Sequence, residues 1–164
     1  SSAASDVYKR QVDAVVSTLD SLNYLTREKD IRETFRRVFR ALKPGGSFFF
    51  DVNTPYKLRR MDGQLYTDET EESYCVWRTF FSEKTSICTY QVDLFQLRTD
   101  GTWDRDYEEH RERAWSAAEL TAFLTDAGFE NIHVFGGDEG ESEGPGGQRC
   151  YFAATRADRK DETI

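Results

Sequence analysis

The stretch between Val12 and Val52 narrows the fold more than any other part of the chain. Val12, Ala14, Val15 and Val16 form a short apolar run that ends in polar residues at Ser17, the pattern of a buried parallel strand. Asp30 and Glu33 have the spacing of a capping box, and Ile31, Phe35, Val38, Phe39 and Leu42 follow at helical intervals, which predicts an amphipathic helix. Lys43-Pro44-Gly45-Gly46 stops it, because proline disfavours helical backbone in the residue before it and glycine accepts the angles of a tight reversal. A second apolar strand, Ser47 to Val52, follows directly. Strand, helix, turn and strand make a β-α-β unit, in which the crossover is nearly always right-handed. The fold class is therefore α/β.

Beyond Val52 the character changes. Asn53 or Thr54 is suited to cap a short helix that has Pro55 in its first turn. Tyr74 to Phe81, Ile87 to Arg98 and Trp103 to Arg113 mix aromatic and β-branched residues with charges and are separated by turn signals, the clearest being Asp100-Gly101. Short connections force antiparallel pairing, so a three-stranded meander over about residues 73–113 is expected as an insert attached to the parallel sheet. Ser116 and Glu119 form a further capping box, and Leu120, Phe123, Leu124 and Ala127 make one apolar stripe that ends at Gly128. Ile132 to Phe135 and Cys150 to Ala154 read as a closing antiparallel hairpin around the acidic, glycine-rich stretch Gly136 to Gly147. The charged residues 156–164 have nothing to bury and form a tail.

Charge excludes some functions. With 30 acidic against 22 basic residues and a net charge of -8, the chain repels nucleic acid and anionic membrane surfaces, so neither is expected as a partner. There is no apolar run of membrane-spanning length and no secretory-type start, which reads as a cytoplasmic protein. Cys75, Cys88 and Cys150 lack metal-type spacing and are expected as reduced core residues, and His110 and His133 form no cluster, so no metal site is expected.

The run Asp13 to Leu25 resembles the fourth core strand and following loop of class I S-adenosylmethionine-dependent methyltransferases. Lys43 to Gly46 with Phe48 to Thr54 is similar to their fifth strand and its lead-in. Glu109-His110-Arg111 ahead of a capped helix ending in Ala127-Gly128-Phe129 is similar to the closing part. The likeness spans nearly all of Val12 to Thr155, and its nearest subgroups are small-molecule and sugar N-methyltransferases, which lay an antiparallel insert over the active site. It implies the last four strands of a Rossmann-like sheet, with S-adenosylmethionine as cofactor and a small-molecule acceptor methylated on nitrogen or oxygen. No Gly-x-Gly-x-Gly turn and no acidic end of a second strand are present, so half of the cofactor site is missing. The expectation is a truncated domain over residues 12–155, inactive alone, with one apolar sheet edge that a second copy can complete as a homodimer. Ser1 to Gln11 matches no family feature and reads as junction-derived sequence.

The same resemblance assigns Thr18, Leu19, Asp20 and Ser21 to the cofactor, and Asn23, Tyr24, Asp51 and Arg111 to the substrate. From the residues alone, Asp20, Ser21 and Asn23 also suit a plain turn, and Asp51 a cap. His110 is a candidate general base, since histidine ordinarily titrates near neutrality, although its acidic neighbours Glu108, Glu109 and Glu112 equally suit a solvated strand face. Arg111 and Arg113 are suited to an anionic substrate or to an ion-pair ladder with those acids. Tyr56, Trp77, Tyr90 and Trp103 are candidate walls of the acceptor site. A nucleotide-dependent oxidoreductase, which has similar half-sheets, is the rival enzyme reading, and a partner-dependent module without catalysis is the other.

Overall fold

The computed structural model describes residues 11–136 and 147–157. Residues 1–10, 137–146 and 158–164, which hold most of the stretch read as junction-derived, the middle of the acidic glycine-rich stretch and most of the stretch read as a tail, lie outside the described residues. Strands β1 (Val12–Ser17) and β2 (Leu42–Asn53) are parallel, and between them come a 3-10 turn (Ser21–Tyr24) and helix α1 (Glu28–Ala41). The expected β-α-β unit is therefore present. Its reversal is tighter than expected: Val12 pairs with Leu42 and Ala14 with Ser47, so residues 43–46 bulge out of an already started strand, with Gly45 at φ 75°.

The capping box expected at Asp30 and Glu33 does not form. The helix begins three residues earlier with Arg27 as its uncapped N-terminal neighbour, and both carboxylates are drawn to arginines instead. Arg27 Nε donates to Asp30 at 2.6 Å, and Arg37 Nε donates to Glu33 at 2.9 Å. Acidic side chains in a first turn also offset the positive end of the helix dipole without capping it. By contrast, Ser116 and Glu119 form the reciprocal box at the start of α3 (Ala117–Ala127), and Gly128 ends that helix at φ 100°. The short helix α2 (Pro55–Arg60) is capped by Thr54, whose hydroxyl accepts from Lys57 N–H at 3.2 Å.

Strands β7 (Phe129–Gly136) and β8 (Arg149–Arg156) pair antiparallel, giving a first sheet in the order β1-β2-β8-β7. Alternation along β2 and β8 turns Phe48, Phe50, Val52, Cys150, Phe152 and Ala154 to the side packed by Ile31 and Phe35 of α1 and Leu120, Phe123 and Leu124 of α3. Phe50 and Phe152 stack with ring centroids 4.6 Å apart. The other face is largely bare: Val16, Phe49, Tyr151 and Phe135 are exposed.

The second sheet is antiparallel throughout, in the order β3-β4-β5-β6, and consists of β3 (Leu65–Glu69), β4 (Ser73–Ser82), β5 (Ile87–Leu97) and β6 (Trp103–Arg113). It has one strand more than expected, and it is a sheet of its own rather than an extension of the first. The extra strand β3 is exposed at every position and is held by its ladder with β4. A smaller core of Leu58, Cys88, Tyr90 and Ala114 lies beneath this sheet. Cys88 and Cys150 are buried as expected, whereas Cys75 is only half-buried, and no disulfide is formed among the described residues. Among the described residues no helix is long and apolar enough to cross a membrane.

The one-sided packing predicts an asymmetry in stability. Phe35→Ala, at a position with no exposure, is expected to lower the unfolding free energy by about 3–5 kcal/mol. Phe49→Ala, on the bare face, is expected to cost under about 1 kcal/mol. Urea midpoints at constant m-value measure both, and equal losses would refute the one-sided core.

Candidate functional site

A cavity of about 640 Å³ lies between the two sheets. On one side are Asp20 and Tyr24, from the segment after β1, with Asn53 from the end of β2 and Lys57 and Met61 from α2 and its C-terminus. On the other are residues two apart on three neighbouring strands: Cys75 and Trp77 of β4, Tyr90, Val92 and Leu94 of β5, and Asp106, Glu108, His110 and Glu112 of β6. Register aligns them in rows, with Trp77 opposite Val92 and Val92 opposite Glu108, and with Tyr90 opposite His110. The cavity therefore sits at the carboxyl ends of the parallel strands, roofed by the antiparallel sheet.

The segment after β1 is held in an unusual shape. Leu19 and Asp20 have φ of 59° and 53°, left-handed values that cost a non-glycine residue on the order of 1 kcal/mol or more each. Asp51 offsets this cost. Its carboxylate accepts Leu19 N–H at 2.9 Å and Asp20 N–H at 3.3 Å, and it is also ion-paired with Arg149 of β8. Arg149 in turn reaches the Asp20 carboxylate at 2.9 Å. Asp51, which the resemblance assigns to the substrate, is buried here, and its oxygens hold the turn.

Asn23, assigned to the substrate in the same way, is also engaged within the protein. It has no exposure; its Nδ2 donates to Asn53 O at 3.0 Å and to Arg113 O at 2.9 Å, and its Oδ1 accepts Asn53 N–H at 2.9 Å. Its hydrogen-bonding capacity is engaged within the protein, joining the end of β2 to the end of β6. Arg111 is also placed elsewhere, since the alternation that turns His110 and Glu112 to the cavity turns Arg111 to the opposite face, paired with Glu109 at 2.7 Å. Of the four residues assigned to the cofactor, Asp20 borders the cavity, while Thr18, Leu19 and Ser21 do not. Leu19 is 76% exposed, and the Ser21 hydroxyl donates to Thr18 O at 2.7 Å. Tyr24 and His110 both line the cavity, their rings edge-to-face at 5.9 Å, and His110 is 3.0 Å from Glu108. Of the four aromatic residues considered as walls of an acceptor site, Trp77 and Tyr90 line the cavity and Tyr56 and Trp103 do not.

Sequence reasoning missed the most deeply buried carboxylate that lines the cavity. Glu112 is 3% exposed, and its Oε2 accepts Asn53 Nδ2 at 2.8 Å, while Asn53 Oδ1 accepts Lys57 Nζ at 2.8 Å. Burial pushes the Glu112 carboxyl above its ordinary value and the nearby Asp20 adds to the rise, outweighing Asn53, Tyr90 and Lys57, which favour the charged form. Burial likewise raises the Tyr90 hydroxyl and pushes the neighbouring Cys88 thiol up to about 11. A cavity that combines a buried, proton-retaining carboxylate with aromatic walls can bind an organic molecule and exchange a proton with it. The available signal was the alternation Asp106, Glu108, His110, Glu112, which sets every second residue of β6 on one face. Among the described residues no cluster suited to a metal ion is found.

No family model matches the chain. It is 32% identical over 150 residues to the Bacillus subtilis protein YqeM, whose name places it provisionally among the methyltransferases; the match covers 90% of this chain and 60% of that protein. A solved S-adenosylmethionine-dependent methyltransferase from Clostridium acetobutylicum superposes with a TM-score of 0.76 at 25% identity, over 90% of this chain and 59% of the other. The CcbJ methyltransferase from Streptomyces caelestis superposes with a TM-score of 0.71 at 16% identity, over 91% and 62% respectively. The chain thus spans about three-fifths of the length of these proteins.

Two outcomes are expected of the site residues. Asp51→Ala strands Arg149 and frees two amides in a partly buried setting, and is expected to cost about 3 kcal/mol. Amide exchange at Leu19 and Asp20 should accelerate with it, and unchanged exchange there would mean that Asp51 does not hold the turn. For Glu112 the sign follows from proton linkage. Because the folded carboxyl keeps its proton to higher pH than the unfolded one, stability is greatest below the ordinary value of 4.5 and is lost as pH rises through the folded value. Glu112→Gln should therefore gain on the parent chain as urea titrations move from about pH 4.5 toward neutrality. Parallel curves would contradict the assignment.

Proposed function

We propose that this chain, which has the fold of the class I S-adenosylmethionine-dependent methyltransferases, is the acceptor-side part of an enzyme that transfers a methyl group from S-adenosylmethionine to nitrogen or oxygen of a small molecule. The observation that carries this reading is the cavity itself, placed at the carboxyl ends of β1 and β2, where ligands bind in open α/β sheets. In this reading the chain supplies the last four strands of the parent sheet, and the glycine-rich half of the cofactor site belongs to the two-fifths of the relatives' length that the chain does not match.

The residues present suit one wall of such a cofactor site. Asp20, at the cavity edge, brings a carboxylate next to the Tyr24 ring, a pairing that favours a sulfonium or ammonium group over an anion. Both amides of the left-handed turn are committed to Asp51, so polar contacts to the cofactor come from the Asp20 side chain and from backbone carbonyls. When bound, the cofactor supplies an electrophilic methyl group on sulfur. The chain's own part is to orient the acceptor in the cavity, to keep water out beneath the second sheet and to manage the acceptor's proton through Glu112 or His110.

The bare face with Val16 and Phe49 favours a second reading for the isolated chain, in which a second copy completes the sheet at the β1 edge. Calorimetric titration of S-adenosylhomocysteine into the chain, and into a version extended by the relatives' unmatched segment, tests the function. Tight binding by the extended protein alone is the expected result. Binding by neither would remove the methyltransferase reading, and a concentration-dependent dimer without affinity for the cofactor product would favour the second.

A further inference from the structure

The charge of the cavity says more about the acceptor than its size does. Four carboxylates line it, those of Asp20, Asp106, Glu108 and Glu112, against Lys57 and His110 as basic groups. Two of the four are already paired: Asp20 with Arg149 at 2.9 Å and Glu108 with His110 at 3.0 Å. Lys57 does not reach Glu112 directly, because its ammonium is bound to Asn53 Oδ1 at 2.8 Å and Asn53 lies between them. Among the described residues Glu112 makes no ion pair, although it is the most deeply buried of the four, at 3% exposure. A carboxylate withdrawn from water whose hydrogen-bond donors are neutral is costly, and a cation entering the cavity lowers that cost. The apolar part of the wall is aromatic, with Tyr24, Trp77 and Tyr90 lining it, and ring faces attract cations as well.

We propose that the acceptor is a protonated amine, its ammonium group seated among Tyr24, Trp77 and Tyr90 and paired with Glu112. This rests on the methyltransferase reading and names its substrate class. Both the field of the lining carboxylates and the aromatic faces favour a cation, whereas a carboxylate or phosphate ligand meets like charge on entry. An ammonium nitrogen has no lone pair to donate, so a proton must leave before transfer. Glu112 takes that proton as a carboxylate and becomes a neutral acid. The freed nitrogen lone pair then forms the new N–C bond as the C–S bond of the methyl donor breaks, and the electron pair of that bond stays on sulfur. A carboxyl group that burial holds above its ordinary value is a better proton acceptor than an exposed one, which suits this role.

Binding of three probes of one shape to the chain itself separates the possibilities: 2-phenylethylamine, the neutral 2-phenylethanol and the anionic 3-phenylpropionate, each followed by amide chemical-shift changes on residues lining the cavity. The amine is expected to bind about tenfold more tightly than the alcohol, and the carboxylate more weakly than either. Glu112→Gln is expected to remove most of the amine's advantage while leaving the alcohol unchanged. Equal affinities, a preference for the carboxylate, or no response to any probe at millimolar concentration would overturn the proposal. The comparison within the unaltered chain decides the matter even if the variant does not fold. It is also independent of the cofactor titration: a cavity that prefers amines, with no affinity for S-adenosylhomocysteine in either the chain or its extended version, would remove the enzyme reading and leave an amine-binding site.

Discussion

Asn23 joins the two halves of this molecule. With no exposure, it accepts from Asn53 N–H and donates to the carbonyls of Asn53 and Arg113, so one side chain spans the ends of β2 and β6. Each strand contributes the next residue in the arrangement: Asn53 extends its own amide to Glu112, the neighbour of Arg113. The depth of the cavity, the burial of Glu112 and the approach of Lys57 all follow from this joint. Replacing it would leave several backbone groups unsatisfied at once in a setting without water, the costliest way to lose a hydrogen bond.

The same economy holds the rim. Asp51 lies two residues before Asn53 on β2, and the Asp51 carboxylate gathers two amides from the left-handed turn and the guanidinium of Arg149. Three segments far apart in sequence meet at one carboxylate, and the turn that borders the cavity is shaped by this contact rather than by local preference, since neither Leu19 nor Asp20 is a glycine.

Features that depend on neighbours in sequence were legible before any coordinates. The β-α-β unit, the box at Ser116 and Glu119, the stop at Gly128 and the closing hairpin are all set by local spacing, and the structure contains them. Strand β3 was not legible, because Leu65 to Glu69 has no buried face and exists through its ladder with β4. The site was half legible. Asp51 and Asn23 are polar residues near strand ends, where a substrate contact and a structural tie look identical until the partner strand is known; here the partners are β8 and β6. Arg111 and Glu112 are adjacent in sequence but face opposite sides, a distinction fixed by the register of β6 on β5, in which Glu112 lies opposite the buried Cys88.

The bare face of the first sheet also affects the thermodynamics of the whole chain. Val16, Phe49, Phe135 and Tyr151 are substantially wetted in the folded state, so their unfolding adds little newly hydrated apolar surface. The heat-capacity increment of unfolding scales with that newly hydrated surface, and it sets the curvature of stability with temperature. A sheet packed on one side therefore gives a flatter stability curve than a sheet of equal length buried on both. Covering the face, by whatever polypeptide, would sharpen the curve as well as raise it.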